Sequence, residues 1–303
     1  MILFSIPVHE EAEVVLDQVR NFLHFAPDAQ IVLHVSQQWL TKEPDVADKL
    51  GKEDRVWVNP RSLWTGHCDG MVLKAHSLNF EFARASGIEF EYFCLHASND
   101  MFVRHGVQDY VSSHDAGFFM SRVEDQMLDW WHRDSALGDP ALPRVGRALG
   151  NSGPVLCSQV EGSFCHKSLF SPFAEAYRRH AWHELKFPFR MALGEKEGGH
   201  AILRRMQRMR RLKKFTARRF YPKEEVYPAT LIAPQARRCG TPYCYINWKE
   251  DLVVTIQDIE SIRAGRLKGH EPVYDEIFAV KRVRRRLDDP LRSYIRGLTA
   301  EPI

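Results

Sequence analysis

Short apolar runs alternate with longer amphipathic stretches over the first 120 residues of the chain. Five apolar runs have the length and composition of β-strands: 2–7, 31–36, 55–59, 90–96 and 117–121. Between them, residues 10–25 and 70–85 carry apolar side chains at the spacing of an amphipathic helix. This alternation predicts an α/β fold in which helices flank a mostly parallel sheet. Ligands of such sheets bind beyond the carboxyl ends of the strands.

The second half of the chain is less regular. Residues 135–153 are rich in Gly, Pro and Ser and predict a long loop. The remaining predicted elements are an apolar segment at 155–164, helices near 168–180, 195–219 and 255–264, and a strand at 243–248. The sequence shows neither an internal repeat nor a clean change of composition. We therefore expect a single large domain over residues 1–303.

Composition narrows the class of protein. Hydrophobic residues make up 44% and charged residues 27% of the chain, which are ordinary values for a globular protein. The net charge of +3 is too small to indicate a nucleic-acid partner. Met1 leads into an apolar run far shorter than the roughly 20 residues that span a bilayer. The six cysteines form no CxxC pair and no zinc spacing. These features predict a cytoplasmic protein with reduced thiols.

The segment 204–219 is strongly basic, with nine Lys or Arg residues and a thin apolar stripe. Three interpretations stay open: a solvated helix with one packed face, a helix on an anionic membrane surface, and a nucleic-acid-binding segment. Aromatic residues that stack on bases are nearly absent, which places nucleic acid last. Peripheral contact with an anionic membrane is therefore a possible role of 204–219, and no nucleic-acid partner is expected.

Two segments contain candidate metal ligands. Asp100 follows an apolar strand, but one carboxylate is poor coordination for Mg²⁺ or Mn²⁺, and the alternative is that Asp100 caps the next helix. His67, Cys68 and Asp69 lie together, but no second cluster with matched spacing accompanies them. We therefore predict no metal site.

The stretch YPKEEVYPATLI, residues 221–232, places Glu224 and Glu225 after a proline and at the start of an apolar helical run. Acidic residues in a first helical turn complement the helix dipole, so an ordinary helix start is one interpretation. The other interpretation is that the helix holds one carboxylate rigidly as a general base. The two residues by themselves leave both interpretations open.

Six segments in one order share motifs with a known family. They are IVLHVS (31–36), LWTGHCDGMVLKAHSLNFEFA (63–83), LHASNDMFVRHGVQDYV (95–111), QVEGSF (159–164), the Glu-x-x-x-Ala-Thr stretch (225–230), and YINW (245–248) with EIFAVKR (276–282). Together they resemble the core-2/I-branching β-1,6-N-acetylglucosaminyltransferase family, which includes the peptide xylosyltransferases. Each motif alone is weak, and the shared order makes the resemblance more specific.

The resemblance implies a GT-A-like, Rossmann-type fold with a nucleotide-sugar-binding half at 1–120 and an acceptor-binding and catalytic half at 121–303. It implies an inverting glycosyltransferase that moves a sugar, in first place N-acetylglucosamine, from a UDP-sugar to a hydroxyl of a glycan or lipid-linked acceptor. Such a reaction needs a base for the acceptor proton. It also needs positive charge on the departing diphosphate, which Lys and Arg can provide. We therefore expect a metal-independent reaction without a cofactor.

The resemblance also assigns roles to individual residues. Glu225 matches the family's catalytic base, so we prefer it to Glu224. We assign donor-binding roles to His34, Val35, Ser36, Arg61, Asp100, Arg237, Arg238 and Lys281. We assign acceptor-binding roles to Glu161, Gly162, Ser163 and Trp248.

Two departures from the family pattern leave alternatives. Cys244 stands where the family has an arginine, so a diphosphate ligand is missing or is supplied by Arg237 or Arg238. The proline that usually follows the aspartate is absent after Asp100. One rival is a metal-dependent transferase in which Asp100 and His67 or His96 hold Mn²⁺. Another is a noncatalytic protein that binds anionic lipid or nucleic acid through residues 204–219.

Overall fold

The structure, a computed structural model, describes residues 1–65, 70–125, 132–181, 221–248, 253–267 and 272–299. Its strands are β1 Ile2–Val8, β2 Gln30–Val35, β3 Val56–Val58, β4 Tyr92–Leu95, β5 Met101–Phe102, β6 Ala116–Gly117, β7 Ser121–Arg122, β8 Leu156–Cys157, β9 Ser163–His166, β10 Cys239–Gly240, β11 Cys244–Tyr245 and β12 Ala279–Val280. Its α-helices are α1 Ala12–Phe25, α2 Gln37–Lys42, α3 Val46–Leu50, α4 Met71–Ala85, α5 Val107–Ser112, α6 Arg133–Leu137, α7 Leu142–Ala148, α8 Lys167–Ala181, α9 Lys223–Leu231, α10 Ile256–Arg263 and α11 Pro290–Leu298. Short 3-10 helices occupy Val123–Asp125 and Ala233–Gln235.

A seven-stranded sheet in the order β10-β6-β9-β4-β1-β2-β3 forms the centre of the protein. Strand β1 is parallel to β2 and β4, and the pairs β2–β3 and β6–β10 are also parallel. Strand β9 is antiparallel to both of its neighbours. A small second sheet joins β11, β12 and β5. The predicted α/β class with a mostly parallel sheet is confirmed.

Helices cover both faces of this sheet because the strand side chains alternate between two apolar cores. On one face, Phe4 of β1 packs in the cluster that contains Phe22 of α1 and residues of α10 and α11. On the other face, Leu3 belongs to the cluster that contains Phe80 of α4 and residues of α7, α8 and α9. A strand buried on both faces reads as a nearly continuous apolar run, as residues 2–8 do apart from Ser5.

The largest difference from the sequence prediction lies between residues 135 and 153. The predicted long loop is wrong, because α6 ends and α7 forms inside this range. Proline is tolerated in the first turn of a helix, and α7 has its proline there. Leu142 and Val145 are buried against the second core, so packing outweighs the loop-like composition. The predicted strand at 243–248 is also shorter, with only Cys244–Tyr245 paired.

Some predictions concern residues outside the described parts of the chain. The basic segment 204–219, the helix predicted near 195–219, and the cluster of His67, Cys68 and Asp69 all lie there.

Candidate functional site

A cavity of about 590 Å³ opens at the carboxyl ends of β1, β2 and β4. Its wall contains His9 and Ser36, which follow two of these strands, and the loop 96–99, which follows the third. The start of α9 and the segment 281–285 also contribute to the wall. The cavity therefore lies at the edge of the parallel sheet that the sequence predicts for a ligand.

Glu225 lies in the first turn of α9 and lines this cavity. Its backbone N–H donates to Pro222 at 3.0 Å, and its carbonyl accepts from the Ser158 N–H at 2.8 Å, which fixes the turn. Burial raises the pKa of Glu225 to about 7; Glu161 adds to the rise, and the charges of Lys281 and Arg282 oppose it. A carboxyl that titrates near neutral pH suits a general base. Glu224 also lines the cavity.

Lys281 follows β12 and places its ammonium against the Glu161 carboxylate in the same cavity. Its backbone N–H donates to the Tyr245 carbonyl at 2.9 Å. Burial alone would lower the pKa of Lys281, but the carboxyl groups of Glu161, Asp100 and Glu225 raise it above its ordinary value. Lys281 therefore stays a cation close to the candidate base.

Asp100 lies behind the cavity wall and is fully buried. Its Oδ2 accepts from the Ala97 N–H at 2.9 Å and is 2.9 Å from His96 Nδ1, while His96 Nε2 is 2.8 Å from the Tyr243 hydroxyl. Burial raises the pKa of Asp100, and its contact with His96 opposes that rise. Asp100 thus stabilises the loop 96–99 through its contacts with His96 and Ala97. The alternative that it caps the next helix is wrong, because Gly106 precedes α5.

Of the other six predicted donor residues, Ser36 alone lines the cavity. Its side chain also accepts from the Trp39 N–H at the start of α2. His34 is buried, its Nε2 accepts from the Leu63 N–H at 3.1 Å, and burial lowers its pKa to about 4. The other four residues have partners elsewhere. The Val35 carbonyl accepts from the Ser62 hydroxyl at 2.6 Å, and the Arg61 guanidinium is 3.3 Å from Glu81. The backbone N–H groups of Arg237 and Arg238 donate to Asp115.

Arg237 and Arg238 are exposed and are not part of the cavity wall. The structure therefore does not bring them to Lys281. The predicted acceptor residues are also divided. Glu161 lines the cavity, whereas Trp248 is half exposed and lies outside its wall.

Gly162 and Ser163 shape the backbone beside Glu161. Gly162 has φ +75°, and a Cβ there would lie 2.4 Å from the Cys244 nitrogen. Ser163 is buried in β9 and donates to the Gln159 carbonyl at 2.6 Å. Gly162 therefore permits the close approach of Cys244, and Ser163 closes the turn that contains Glu161.

Several cavity residues were not predicted from the sequence. Arg282 and Arg285 line the wall beside Lys281, and Arg285 pairs with Glu10. The basic run 281–286 was a usable signal for them.

No sequence motif marks Asp139 as a residue that supports the site. It accepts from the Tyr221 and Tyr227 hydroxyls at 2.8 and 2.9 Å and lies 3.4 Å from the Lys223 ammonium, so it anchors the start of α9.

Metal ligands are not grouped in the part of the chain that the structure describes: it contains no cluster of three or more His, Cys, Asp or Glu side chains that could hold an ion. The described residues on their own do not fit a metal, so no chemical step is assigned to one below. In the same described ranges, no helix is long and apolar enough to cross a membrane.

Comparison with known proteins finds similarity to solved structures, and that similarity is distant. No protein-family profile matches the sequence. No curated protein matches it either. Among solved structures, the chain is similar to a mannosyltransferase, PcManGT from Pyrobaculum calidifontis, in complex with GDP-Man and Mn²⁺. The two share 12% identity and a TM-score of 0.30 over 68% of this chain. The match spans 61% of that protein, which is less than two thirds of its length.

The matched structure corrects one prediction. It contains Mn²⁺ together with its nucleotide sugar, which contradicts the predicted metal independence, and that prediction is withdrawn.

Proposed function

We propose that this protein is an inverting glycosyltransferase that uses a nucleoside-diphosphate sugar. The observation that carries the proposal is the pairing of a carboxyl that titrates near pH 7 with cations in one cavity. Glu225, Lys281 and Arg282 all line that cavity. A glycosyl transfer needs a base on the acceptor side and positive charge on the leaving-group side.

In the proposed reaction, the acceptor hydroxyl gives its proton to the Glu225 carboxylate while its oxygen attacks the anomeric carbon. The bond between that carbon and the diphosphate oxygen breaks, and the bonding electron pair leaves with the diphosphate. Attack from the opposite side inverts the configuration at the anomeric carbon. The Lys281 ammonium stabilises the negative charge that grows on the leaving group.

The resemblance of the six sequence segments supports the finer proposal. We infer a UDP-sugar donor, in first place UDP-N-acetylglucosamine, and a glycan or lipid-linked acceptor. Residues 1–120 would hold the nucleotide sugar, and residues 121–303 would hold the acceptor and supply Glu225. The Glu161 carboxylate, which lies in the same cavity, would accept a hydrogen bond from an acceptor hydroxyl.

A thermal-shift panel of nucleotide sugars with added MnCl2 tests the donor proposal. The panel contains UDP-N-acetylglucosamine, UDP-xylose and GDP-mannose. A ligand at 100 times its Kd stabilises the folded protein by about 2.7 kcal/mol, which is measurable. A shift with a UDP-sugar supports the finer proposal. A shift with GDP-mannose alone would mean that the donor nucleotide is GDP instead of UDP. No shift with any nucleotide sugar or its diphosphate would contradict a transferase.

The basic segment 204–219 supports a proposed contact with an anionic membrane, which would suit a lipid-linked acceptor. Each basic residue near such a surface contributes about 1 kcal/mol, and salt weakens the attraction. Replacing Arg208, Arg210, Arg211, Lys213 and Lys214 with Gln is expected to release the protein from phosphatidylglycerol vesicles in a sedimentation assay. Turnover of a soluble acceptor should survive. Loss of that turnover would place these side chains at the reacting centre.

A further inference from the structure

Arg282 has an unusual backbone conformation for its residue type. Its φ is +71°, in the left-handed region that side chains with a Cβ rarely adopt. Within the described ranges, Arg55, with φ +60°, is the other non-glycine residue in this region. Such positions persist when the surrounding structure imposes them, and they cluster at functional sites. Arg55 does not line the cavity, whereas Arg282 does.

The left-handed residue changes the direction of the side chains after β12. In a regular strand, successive side chains point to opposite faces, so Lys281 and Arg282 would point apart. Here both line one cavity. Hydrogen bonds hold the backbone on each side of the turn, from the Lys281 N–H to Tyr245 at 2.9 Å and from the Val283 N–H to Asn99 at 3.1 Å. The positive φ therefore accompanies two adjacent cations on one wall.

Arg282 also differs from the neighbouring cations in its partners. Lys281 contacts the carboxylate of Glu161, and Arg285 contacts the carboxylate of Glu10. Arg282 makes no hydrogen bond or ion pair with any described residue, and its side chain is exposed to the cavity. Five guanidinium N–H donors are therefore available to a ligand, in a planar arrangement that suits phosphate oxygens.

We propose that Arg282 binds the diphosphate of the donor beside Lys281, and that its left-handed backbone is retained because it turns both side chains into the cavity. This inference rests on the proposed use of a nucleoside-diphosphate sugar. Arg282 would supply the positive charge for which Arg237 and Arg238 are badly placed.

Arg282→Gly and Arg55→Gly form a matched pair that separates backbone strain from binding. Each variant removes an arginine from a left-handed position, so each is expected to keep or raise Tm, by about 1–2 °C. Inorganic pyrophosphate, titrated by calorimetry with Mn²⁺ present, is the probe. Arg282→Gly should weaken its binding roughly 10- to 100-fold, the scale of a charge-assisted contact, and Arg55→Gly should leave it unchanged. Arg282→Lys, which keeps the charge, should retain part of the affinity.

The inference would be overturned if pyrophosphate binds Arg282→Gly as tightly as the wild type, or if the wild type does not bind pyrophosphate at millimolar concentration. A fall in Tm for Arg282→Gly but not for Arg55→Gly would also overturn it, since the residue would then act structurally. A different result would contradict the proposed function and leave the role of Arg282 in place: pyrophosphate binding depends on Arg282, but no nucleotide sugar in the panel binds.

Discussion

At the scale of single residues, the choice between Glu224 and Glu225 is the sharpest question. Both line the cavity, but the pKa of Glu225 is raised to about 7, by burial first and by Glu161 second. We expect Glu225→Gln to lower kcat on the order of 10²–10⁴-fold while donor binding and the fold are retained. The measurement is steady-state turnover, with the circular dichroism spectrum and donor-induced thermal shift compared with the wild type.

Glu224→Gln is the matched control for this substitution, because it changes the neighbouring carboxyl in the same helical turn. It is expected to keep most of the turnover. If Glu224→Gln is inactive and Glu225→Gln is active, the base is Glu224. If both remain active, the proposed mechanism is wrong.

The raised pKa of Glu225 also predicts a pH dependence. The base must be ionised, so kcat/KM should rise with pH through about 7 in the wild type. The pKa of Glu225 in the folded protein lies above the reference value of 4.5. The protonated carboxyl therefore stabilises the folded state fully below pH 4.5, and this contribution is lost as pH rises through 7. The Tm of Glu225→Gln relative to the wild type should therefore increase between about pH 5 and pH 8. A constant difference in Tm would contradict a raised pKa.

At the scale of elements, the start of α9 depends on a buried polar cluster. Asp139 contacts Lys223, Tyr221 and Tyr227, and all four residues are buried. Lys223 is the first residue of α9, so this cluster sets where the helix begins and where Glu225 lies two residues later. Asp139 is far from this helix in the chain and belongs to the loop before α7.

We expect Asp139→Asn to lower the free energy of unfolding by about 3 kcal/mol, because it leaves the Lys223 charge buried without its counter-charge. The turnover of the variant, measured at a temperature below its own Tm, should fall as well. Asp288→Asn is the control, since Asp288 pairs with Arg286 on the surface, where solvent screening leaves an ion pair little effect on stability. Equal stability losses in urea unfolding for both variants would contradict the role of the cluster.

At the scale of the whole molecule, the two proposed halves share one sheet. Strand β9, from the second half, pairs with β4 and β6 from the first. The C-terminal helix α11 is tied to α1 by the fully buried Arg292, which donates to Asp17 at 2.6 Å. These contacts support the proposal of one domain over the whole chain.

One domain predicts one cooperative unfolding transition by calorimetry. Arg292→Ala should lower the free energy of unfolding by about 3–5 kcal/mol, because it breaks a buried ion pair, and the transition should stay single. Arg296→Ala is the control: it is partly exposed and lies 3.6 Å from the same Asp17. Two separate transitions in the wild type would show that the halves unfold independently.

Periodicity along the chain was sufficient to predict α1, α4 and the parallel part of the sheet. These elements depend on apolar residues that recur every two or three to four positions, and such local patterns survive in the folded state. The position of Glu225, ahead of Ala229 and Thr230, was likewise visible as a motif, and the structure places it in the cavity.

Tertiary structure decided which polar residues meet. The Glu161–Lys281 pair joins residues 120 positions apart, and the Asp139–Tyr221 hydrogen bond joins residues 82 apart. Sequence patterns cannot mark such pairs, because each partner has an ordinary neighbourhood along the chain. For the same reason the sequence did not show that Arg237 and Arg238, which were assigned donor-binding roles, lie outside the cavity wall. Arg282, whose backbone is left-handed, lines the cavity instead. Local periodicity reflects burial, which acts on each element separately, but the direction of a charged side chain is set by the packing of all elements together.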